Sequence, residues 1–215
     1  MKYLISSVAL VILSCLVLGV LKWKQRQRDS RLQAAIDLGR DVSDKLESYA
    51  AKTYTSLGTT TEEILGHEND EMKSHVLAAL LWRIGQKSEK IGWSNLTDTE
   101  RRLIAVYAME GEVSNGGFDQ YFFNHTGGDS DVALAGLKDI GATAAARLLE
   151  LAMSQFPSGK PPTDYEERHE AMDKIEMTAK PIWDKCDNEY YDLEEDAYAL
   201  CLNYAKKKRA DIILP

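Results

Sequence analysis

Apolar residues from Glu71 onward recur at intervals of three and four, the spacing that places them on one face of an α-helix. The first such stripe comprises Val76, Leu77, Leu80, Leu81 and Ile84. Runs that alternate apolar and polar residues, which would indicate β-strands, are absent from the same stretch of sequence. The spacing therefore predicts an all-α fold, a helical bundle.

Boundaries of individual helices are marked by capping residues and glycines. Thr97 and Glu100 have the three-residue spacing of a capping box, which predicts that a helix begins there. Gly141 separates two predicted helices at residues 131–140 and 142–156, because glycine readily adopts the left-handed conformation that ends a helix. The remaining predicted elements are a loop at residues 157–162 and helices at residues 163–177, 182–193 and 195–210.

Residues 3–21 form an uncharged run dominated by Leu, Val and Ile. A helix of this length would span about 28 Å, close to the ~30 Å hydrocarbon core of a bilayer. Five basic residues follow the run within about ten positions, whereas Lys2 and the α-amino group precede it,. We predict a single-pass anchor in the inner (cytoplasmic) membrane with the body in the cytoplasm. A cleaved signal peptide, or a lipoprotein signal ending at Cys15, are the alternatives.

A second stripe follows the basic flank and predicts a stalk helix. Its members are Leu32, Ile36, Gly39, Val42, Leu46 and Tyr49. The stalk either packs on the body, is solvated, or pairs with a second copy to form a homodimer. Residues 53–70 are interpreted as a linker with one helical turn. The predicted organisation is an anchor with its basic flank at 1–24, a stalk and linker at 25–70, and a helical domain at 71–215.

The charge is distributed unevenly along the chain. The formal net charge of −8 combines +5 in residues 1–31 with −13 in the remainder, which holds 20 basic and 33 acidic residues. An acidic body repels phosphates, so direct nucleic-acid binding by the body is disfavoured. The charge favours a basic protein partner, or serves only solubility.

Sequence patterns of catalytic and metal sites are missing. The four histidines form no HExxH arrangement, and the sequence contains no Gly-x-Ser-x-Gly, phosphate-binding or CxxC motif,. Cys186 and Cys201 are predicted to be small core residues, not members of a disulfide framework. We therefore predict a protein that is not an enzyme, with no metal site and no cofactor.

A glycine–aromatic block interrupts the helical pattern at residues 115–128. Asn115, Gly116 and Gly117 predict a helix end, after which Asn115 or Asp119 would accept hydrogen bonds from the next helix. Phe118, Tyr121 and Phe122 are spaced to share one buried face of that helix. We interpret the block as a tight corner of the core. The alternative is a polar ligand pocket formed by Asn115, Gln120, Asn124 and His125.

The block resembles the core motif of the bacterial DNA-mimic-protein-like family, a family of domains of unknown function. The motif residues are Asn115, Gly116, Gly117, Phe118, Gln120, Tyr121, Phe122 and Asn124. The resemblance continues through Ile140-Gly141-Ala142, Phe156, Tyr190-Tyr191 and Tyr204, and covers roughly residues 75–206. Its namesake is an acidic protein that competes with DNA for a transcription factor, so the resemblance implies a basic protein partner.

Carboxylates are concentrated after the loop. Residues 164–196 contain thirteen acidic and four basic residues, a net charge of −9. Glu166, Glu170 and Asp173 share one helical face, and Asp184 and Asp187 share another on the next predicted helix. We predict that these five residues bind a basic protein as a line of DNA phosphates would.

The leading hypothesis is thus a membrane-anchored acidic interaction module. A structural or envelope-associated protein without a specific partner is the alternative, and a ligand pocket or enzyme near Asn115 is the third reading.

Overall fold

The computed structural model describes residues 45, 48–67 and 72–214. The chain divides into two compact units, residues 1–52 and residues 53–215. The α-helices of the second unit are α1 (Thr61–Leu65), α2 (Lys73–Ile91), α3 (Asp98–Phe123), α4 (Ser130–Ile140), α5 (Thr143–Met153), α6 (Tyr165–Tyr191) and α7 (Ala197–Lys207). Short 3-10 helices lie at Trp93–Asn95, His125–Asp129 and Arg209–Asp211. All regular elements in the described ranges are helical, which confirms the predicted all-α fold.

The predicted transmembrane run at residues 3–21 lies outside the described residues, as does most of the stalk stripe. Among the residues that are described, no helix combines the length and the apolar character needed to cross a bilayer. The anchor, the cytoplasmic position of the body and the stalk-mediated homodimer therefore stay predictions.

Helix α3 is central to the second unit, because it contacts α2, α4, α6 and α7. Its inward side chains follow the predicted helical spacing: Leu103, Val106, Met109 and Val113 are at most 1% exposed. Helix α6 packs across both α3 and α5. Surfaces on α6 are consequently held rigidly against the core.

The beginning of α3 has the predicted capping box. The Thr97 hydroxyl accepts from the Glu100 N–H at 3.2 Å, and the Glu100 carboxylate accepts from the Thr97 N–H at 3.0 Å. The same buried carboxylate pairs with Lys87 Nζ at 2.8 Å and accepts from the Ile213 N–H at 2.9 Å. Glu100 therefore also fastens the C-terminal segment to the body.

Residues 53–67 of the stretch interpreted as a linker are described, and they contain one short helix, α1, which agrees with the predicted helical turn. Within this stretch Leu57, Ile64 and Leu65 are buried in the core. Thr60 caps α1 by accepting from the Glu63 N–H at 3.2 Å, an ordering role that the threonine run did not suggest. The stretch packs because its apolar residues, although few, face the body.

Gly141 ends α4 as predicted. Its φ of 86° is left-handed, and the Ala142 N–H donates to the Leu137 carbonyl at 2.9 Å. The prediction of two helices at 163–177 and 182–193 is wrong, because α6 is one helix of 27 residues that runs through Pro181. Proline removes one backbone hydrogen bond, but Ala179 and Trp183 are buried on either side of it. Burial of these flanking side chains holds the helix together across the proline.

Candidate functional site

The glycine–aromatic block forms a kink inside α3. Gly116 has φ −157° and ψ 22°, and Gly117 has φ 76° and ψ −174°, so the helix is interrupted at both residues. The positive φ of Gly117 is a conformation that residues with a Cβ adopt only with strain. The predicted helix end is thus confirmed, and a second helical segment begins at Phe118.

The cap of this second segment comes from α6 and not from the block. The Phe118 N–H donates to Asp187 Oδ1 at 2.8 Å. The prediction that Asn115 or Asp119 supplies this cap is therefore wrong. A Cβ added to Gly117 would collide with the Asp187 carboxylate, within 2.8 Å of its Oδ1 atom. Burial raises the pKa of Asp187 above its ordinary value, and the hydrogen bond from Phe118 opposes that change.

The amide side chains of the block bind one another across the kink. Glu112 Oε2 accepts from Gln120 Nε2 at 2.6 Å and from Asn124 Nδ2 at 2.7 Å. Asn115 Nδ2 donates to Gln120 Oε1 at 3.1 Å. Polar atoms that the pocket alternative requires for a ligand are thus used to join the two halves of α3.

The aromatic face of the block is part of the core. Phe118, Tyr121 and Phe122 are at most 1% exposed, as the spacing predicts. The Phe122 ring lies 5.1 Å from Phe156 and 5.4 Å from Trp183, measured between ring centroids. Offset and edge contacts of this kind add to the stabilisation from burial. The three aromatic residues of the block therefore belong to the core.

Arg168 is a completely buried residue that joins the end of α3 to the loop before α6. Its Nε donates to the Phe122 carbonyl at 2.7 Å, and Nη2 donates to the Asn124 carbonyl at 2.9 Å. Nη1 donates to the carbonyls of Pro162 and Thr163, each at 3.0 Å. The planar guanidinium thus satisfies carbonyls at a helix C-terminus and in the loop simultaneously.

Arg168 was not predicted as a functional or structural residue, although the sequence contains a signal for it. Buried residues of α6 lie at helical spacing: Met172, Ala179, Trp183, Cys186 and Tyr190. Position 168 precedes Met172 by one turn and so belongs to the same buried face. A basic residue on the apolar face of an acid-rich helix predicts a buried structural role. Cys186 and Cys201 are buried as predicted.

Four rings form a ladder where α3 and α6 meet. Tyr165 lies between His125 and His169, with centroid separations of 4.3 and 4.1 Å, and His169 lies 4.3 Å from Phe123. The His169 ring nitrogen Nε2 is 2.7 Å from the Phe123 carbonyl oxygen. His125, one of the candidate ligand-binding residues, is thus part of a ring stack that extends the corner to the surface.

The predicted acidic residues lie on one helix, in one stripe. Because α6 is continuous, Glu166, Glu170, Asp173, Asp184 and Asp187 fall at steps of four and three, with Met177 and Lys180 between them. The stripe is about 32 Å long at 1.5 Å per residue. Met177, near its middle, is 92% exposed.

The carboxylates at the two ends of this stripe differ in how strongly other groups of the protein bind them. Lys180 pairs with Asp184 at 2.7 Å, and Asp187 caps Phe118, so the C-terminal carboxylates are already engaged. At the N-terminal end, Glu170 is 3.8 Å from Lys174, and both side chains are about three-quarters exposed. Glu166 and Asp173 are exposed and have no ion-pair partner within the described ranges. We call Glu166, Glu170 and Asp173 the acidic row.

No curated protein and no solved structure shows significant similarity to the chain. The family model for DMP19-like protein matches residues 94–208. The match begins later than the predicted limit of residue 75 and includes the kink, the ring ladder and the whole of α6. It covers more than half of the 215 residues, and the chain therefore belongs to the family of DMP19-like proteins.

Proposed function

We propose that this chain is a non-enzymatic interaction module that binds a basic protein through the acidic row on α6. The observation that carries the proposal is the accessibility of Glu166, Glu170 and Asp173, three carboxylates on one face of a helix that packs on the core. Weak or absent ion pairing leaves their charge available to a partner. Asp184 and Asp187, which were predicted to belong to the acidic face, are not part of the proposed surface because Lys180 and the Phe118 N–H engage them.

The geometry of the acidic row is compatible with imitation of DNA. Consecutive carboxylates are separated by about 4.5–6 Å along the helix axis, compared with ~3.4 Å per phosphate along one strand of a duplex. A rigid helix avoids the entropic cost of ordering a flexible acidic segment on binding. The DMP19-like family and its DNA-mimic namesake support this reading. The −13 charge of residues 32–215 would also accelerate encounter with a basic partner,.

The proposal retains the membrane anchor predicted at residues 3–21, with the body in the cytoplasm. An anchored module would hold its captured partner at the bilayer surface. Such tethering would keep a DNA-binding protein at the membrane, away from its sites on DNA, in addition to blocking its DNA-binding surface.

The proposal is tested by capture of purified basic DNA-binding proteins on the full-length chain in a non-ionic detergent. We expect binding at low ionic strength and loss near 0.5 M salt, where the Debye length is only about 4 Å. Cognate duplex DNA should displace the partner, because both would occupy the same basic surface. Reversal of the acidic row by Glu166→Lys, Glu170→Lys and Asp173→Lys should abolish capture.

A matched control reverses three other exposed acids that lie outside α6 and away from its ends, Glu62, Glu89 and Glu150, to lysine. This control variant has the same net charge as the row variant and should retain most of the binding. Equal loss in both variants would mean that only overall charge matters. Equal binding in both, or no basic partner at all, would favour the alternative of a structural or envelope-associated protein whose acidity serves solubility.

A further inference from the structure

A small cavity lies between α3, α5, the C-terminal end of α6 and the start of α7, whereas the acidic row lies near the N-terminal end of α6. Its volume is about 190 Å³, and its lining includes Glu110, Ser114, Tyr190, Tyr191 and Glu195. Pockets for drug-sized molecules usually enclose ~300–1,000 Å³. This cavity is too small for such a ligand and matches a single side chain or a comparably small group.

The lining of the cavity is negatively charged. Glu110 and Glu195 contribute two carboxylates, and none of the described residues that line the cavity is basic. Neither carboxylate has an ion-pair partner in the part of the chain that the structure describes. The negative charge of Glu110 also affects neighbouring groups. Burial, and after it the Glu110 charge, raises the pKa of the Cys201 thiol to about 12. The same two causes, in the same order, raise the pKa of Tyr198. An anionic ligand is therefore excluded, and a cation is favoured.

Both carboxylates are held in fixed positions. The Tyr190 hydroxyl donates to Glu110 Oε2, which leaves Oε1 of the same carboxylate free to accept. Glu195 accepts from the N–H groups of Ala144 and Ala145 at 3.0 and 3.1 Å, at the beginning of α5. The α5 dipole offsets part of the Glu195 charge, so Glu110 is the less compensated carboxylate. A cation entering the cavity would meet an ordered acceptor and not a flexible side chain.

Two tyrosines, Tyr190 and Tyr191, are among the residues that line the cavity. Tyr190 is 7% exposed, whereas Tyr191 is 53% exposed and donates its hydroxyl to the Val113 carbonyl at 3.0 Å. A guanidinium is flat, stacks on aromatic side chains and carries five N–H donors, so one group can donate to Glu110 Oε1 and contact the tyrosines together. An ammonium group fits the charge but is compact and strongly hydrated, and gains less from contact with the tyrosines. The lining therefore favours arginine over lysine.

We propose that this cavity receives an arginine side chain of the basic protein partner, with Glu110 as the principal acceptor. The statement that the arginine belongs to a basic protein partner rests on the proposed function. The affinity of the cavity for a guanidinium does not depend on it. The acidic row would attract the partner over a distance, and the cavity would select one arginine in contact.

The guanidinium specificity is tested first, without any partner. Saturation-transfer NMR on the full-length chain in a non-ionic detergent would follow binding of N-acetyl-arginine amide. The comparison ligand is N-acetyl-citrulline amide, which has the same shape and no charge. We expect the arginine compound to bind and the citrulline compound to bind at least ten-fold more weakly; equal binding would overturn the proposal.

Variants then locate the site. Glu110→Gln keeps an oxygen that accepts from Tyr190 and should weaken binding at least ten-fold, whereas Glu170→Gln loses the same charge in the acidic row and should change binding less than two-fold. Ser114→Arg, at an exposed helical position, should fill the cavity and block binding independently of Glu110. Circular dichroism melting verifies that each variant is folded. Equal effects of the two glutamine variants, or undiminished binding to Ser114→Arg, would overturn the assignment.

Partner capture separates the two proposals. If Glu110→Gln lowers both arginine binding and partner capture, the cavity is part of the interface. If it lowers arginine binding and leaves capture unchanged, the partner is not the source of the arginine. Failure of the acidic-row variants to affect capture would overturn the proposed function while leaving the guanidinium result intact.

Discussion

The Phe118 N–H and the Asp187 carboxylate, 69 residues apart in sequence, are joined by a 2.8 Å hydrogen bond between α3 and α6. The bond replaces the helical partner that the Phe118 N–H loses at the kink,. A side chain from another helix therefore caps the middle of α3. It also removes Asp187 from the set of carboxylates that a partner could bind.

Replacement of Asp187 distinguishes a structural from a binding role. Asp187→Ala leaves the Phe118 N–H without an acceptor, which should lower the free energy of unfolding by about 1–3 kcal/mol. Asp187→Asn retains an oxygen at the same position and should cost clearly less. Urea denaturation followed by circular dichroism measures both, and equal losses would contradict the capping role.

The raised pKa of Asp187 predicts a specific pH dependence. Its ordinary value is 3.8, and burial raises it in the folded state. The folded protein thus binds this proton more tightly than the unfolded chain does, so the contribution to stability is complete below 3.8 and is lost as the pH rises through the raised pKa. The free energy of unfolding of the wild type, relative to Asp187→Asn, should fall across that window and then level off. Urea melts at a series of pH values measure this difference, and a rise with pH would contradict it.

Gly117 is expected to be intolerant of a side chain. Gly117→Ala combines a left-handed backbone with a clash against Asp187, and should cost about 2 kcal/mol or more. Gly111→Ala is the matched control in the same helix, since a Cβ there meets no atom within 4 Å. That control should leave stability unchanged or raise it by up to ~1 kcal/mol. Thermal melting of the two variants compares them, and similar changes would contradict the role of the kink.

Arg168 should not be replaceable by lysine. A lysine carries its three N–H donors on one nitrogen, so it cannot reach the Phe122, Asn124 and Pro162 carbonyls together. Arg168→Lys should therefore lower the free energy of unfolding by about 3 kcal/mol or more. Arg147 provides the comparison, because its pair with Glu189 at 2.9 Å lies on the surface. Arg147→Lys should change stability by less than about 0.5 kcal/mol. Chemical denaturation measures both, and a small effect at position 168 would contradict its role in joining α3 to the loop.

Local patterns predicted much of the fold. The capping box at Thr97 and Glu100, the break at Gly141 and the buried face of Phe118, Tyr121 and Phe122 depend on residues close together in sequence, so periodicity and capping chemistry reveal them. Pro181 was misleading for the opposite reason. Its local tendency to end a helix is overcome by burial of Ala179 and Trp183 against distant elements, which no local pattern records.

The acidic residues of α6 also show which features local spacing predicts and which depend on contacts between distant residues. Spacing placed Glu166, Glu170 and Asp173 on one face, and the exposed row on α6 agrees with that spacing. Spacing could not separate these residues from Asp187, because its partner lies 69 residues away in sequence, whereas the pair of Asp184 with Lys180 is a local contact between residues four apart. Lys180 engages one of the two, and the Phe118 N–H engages the other.

By itself the sequence determined the helical class, the position of the kink and the concentration of negative charge, since each follows from residue type and short-range spacing. Only the tertiary structure decided that Asp187 caps Phe118, where Arg168 donates its hydrogen bonds and that Glu110 and Glu195 share one cavity with two tyrosines. These features depend on contacts between residues that are far apart in sequence. Their energies come from burial and hydrogen bonding, and both exist only once the helices have packed.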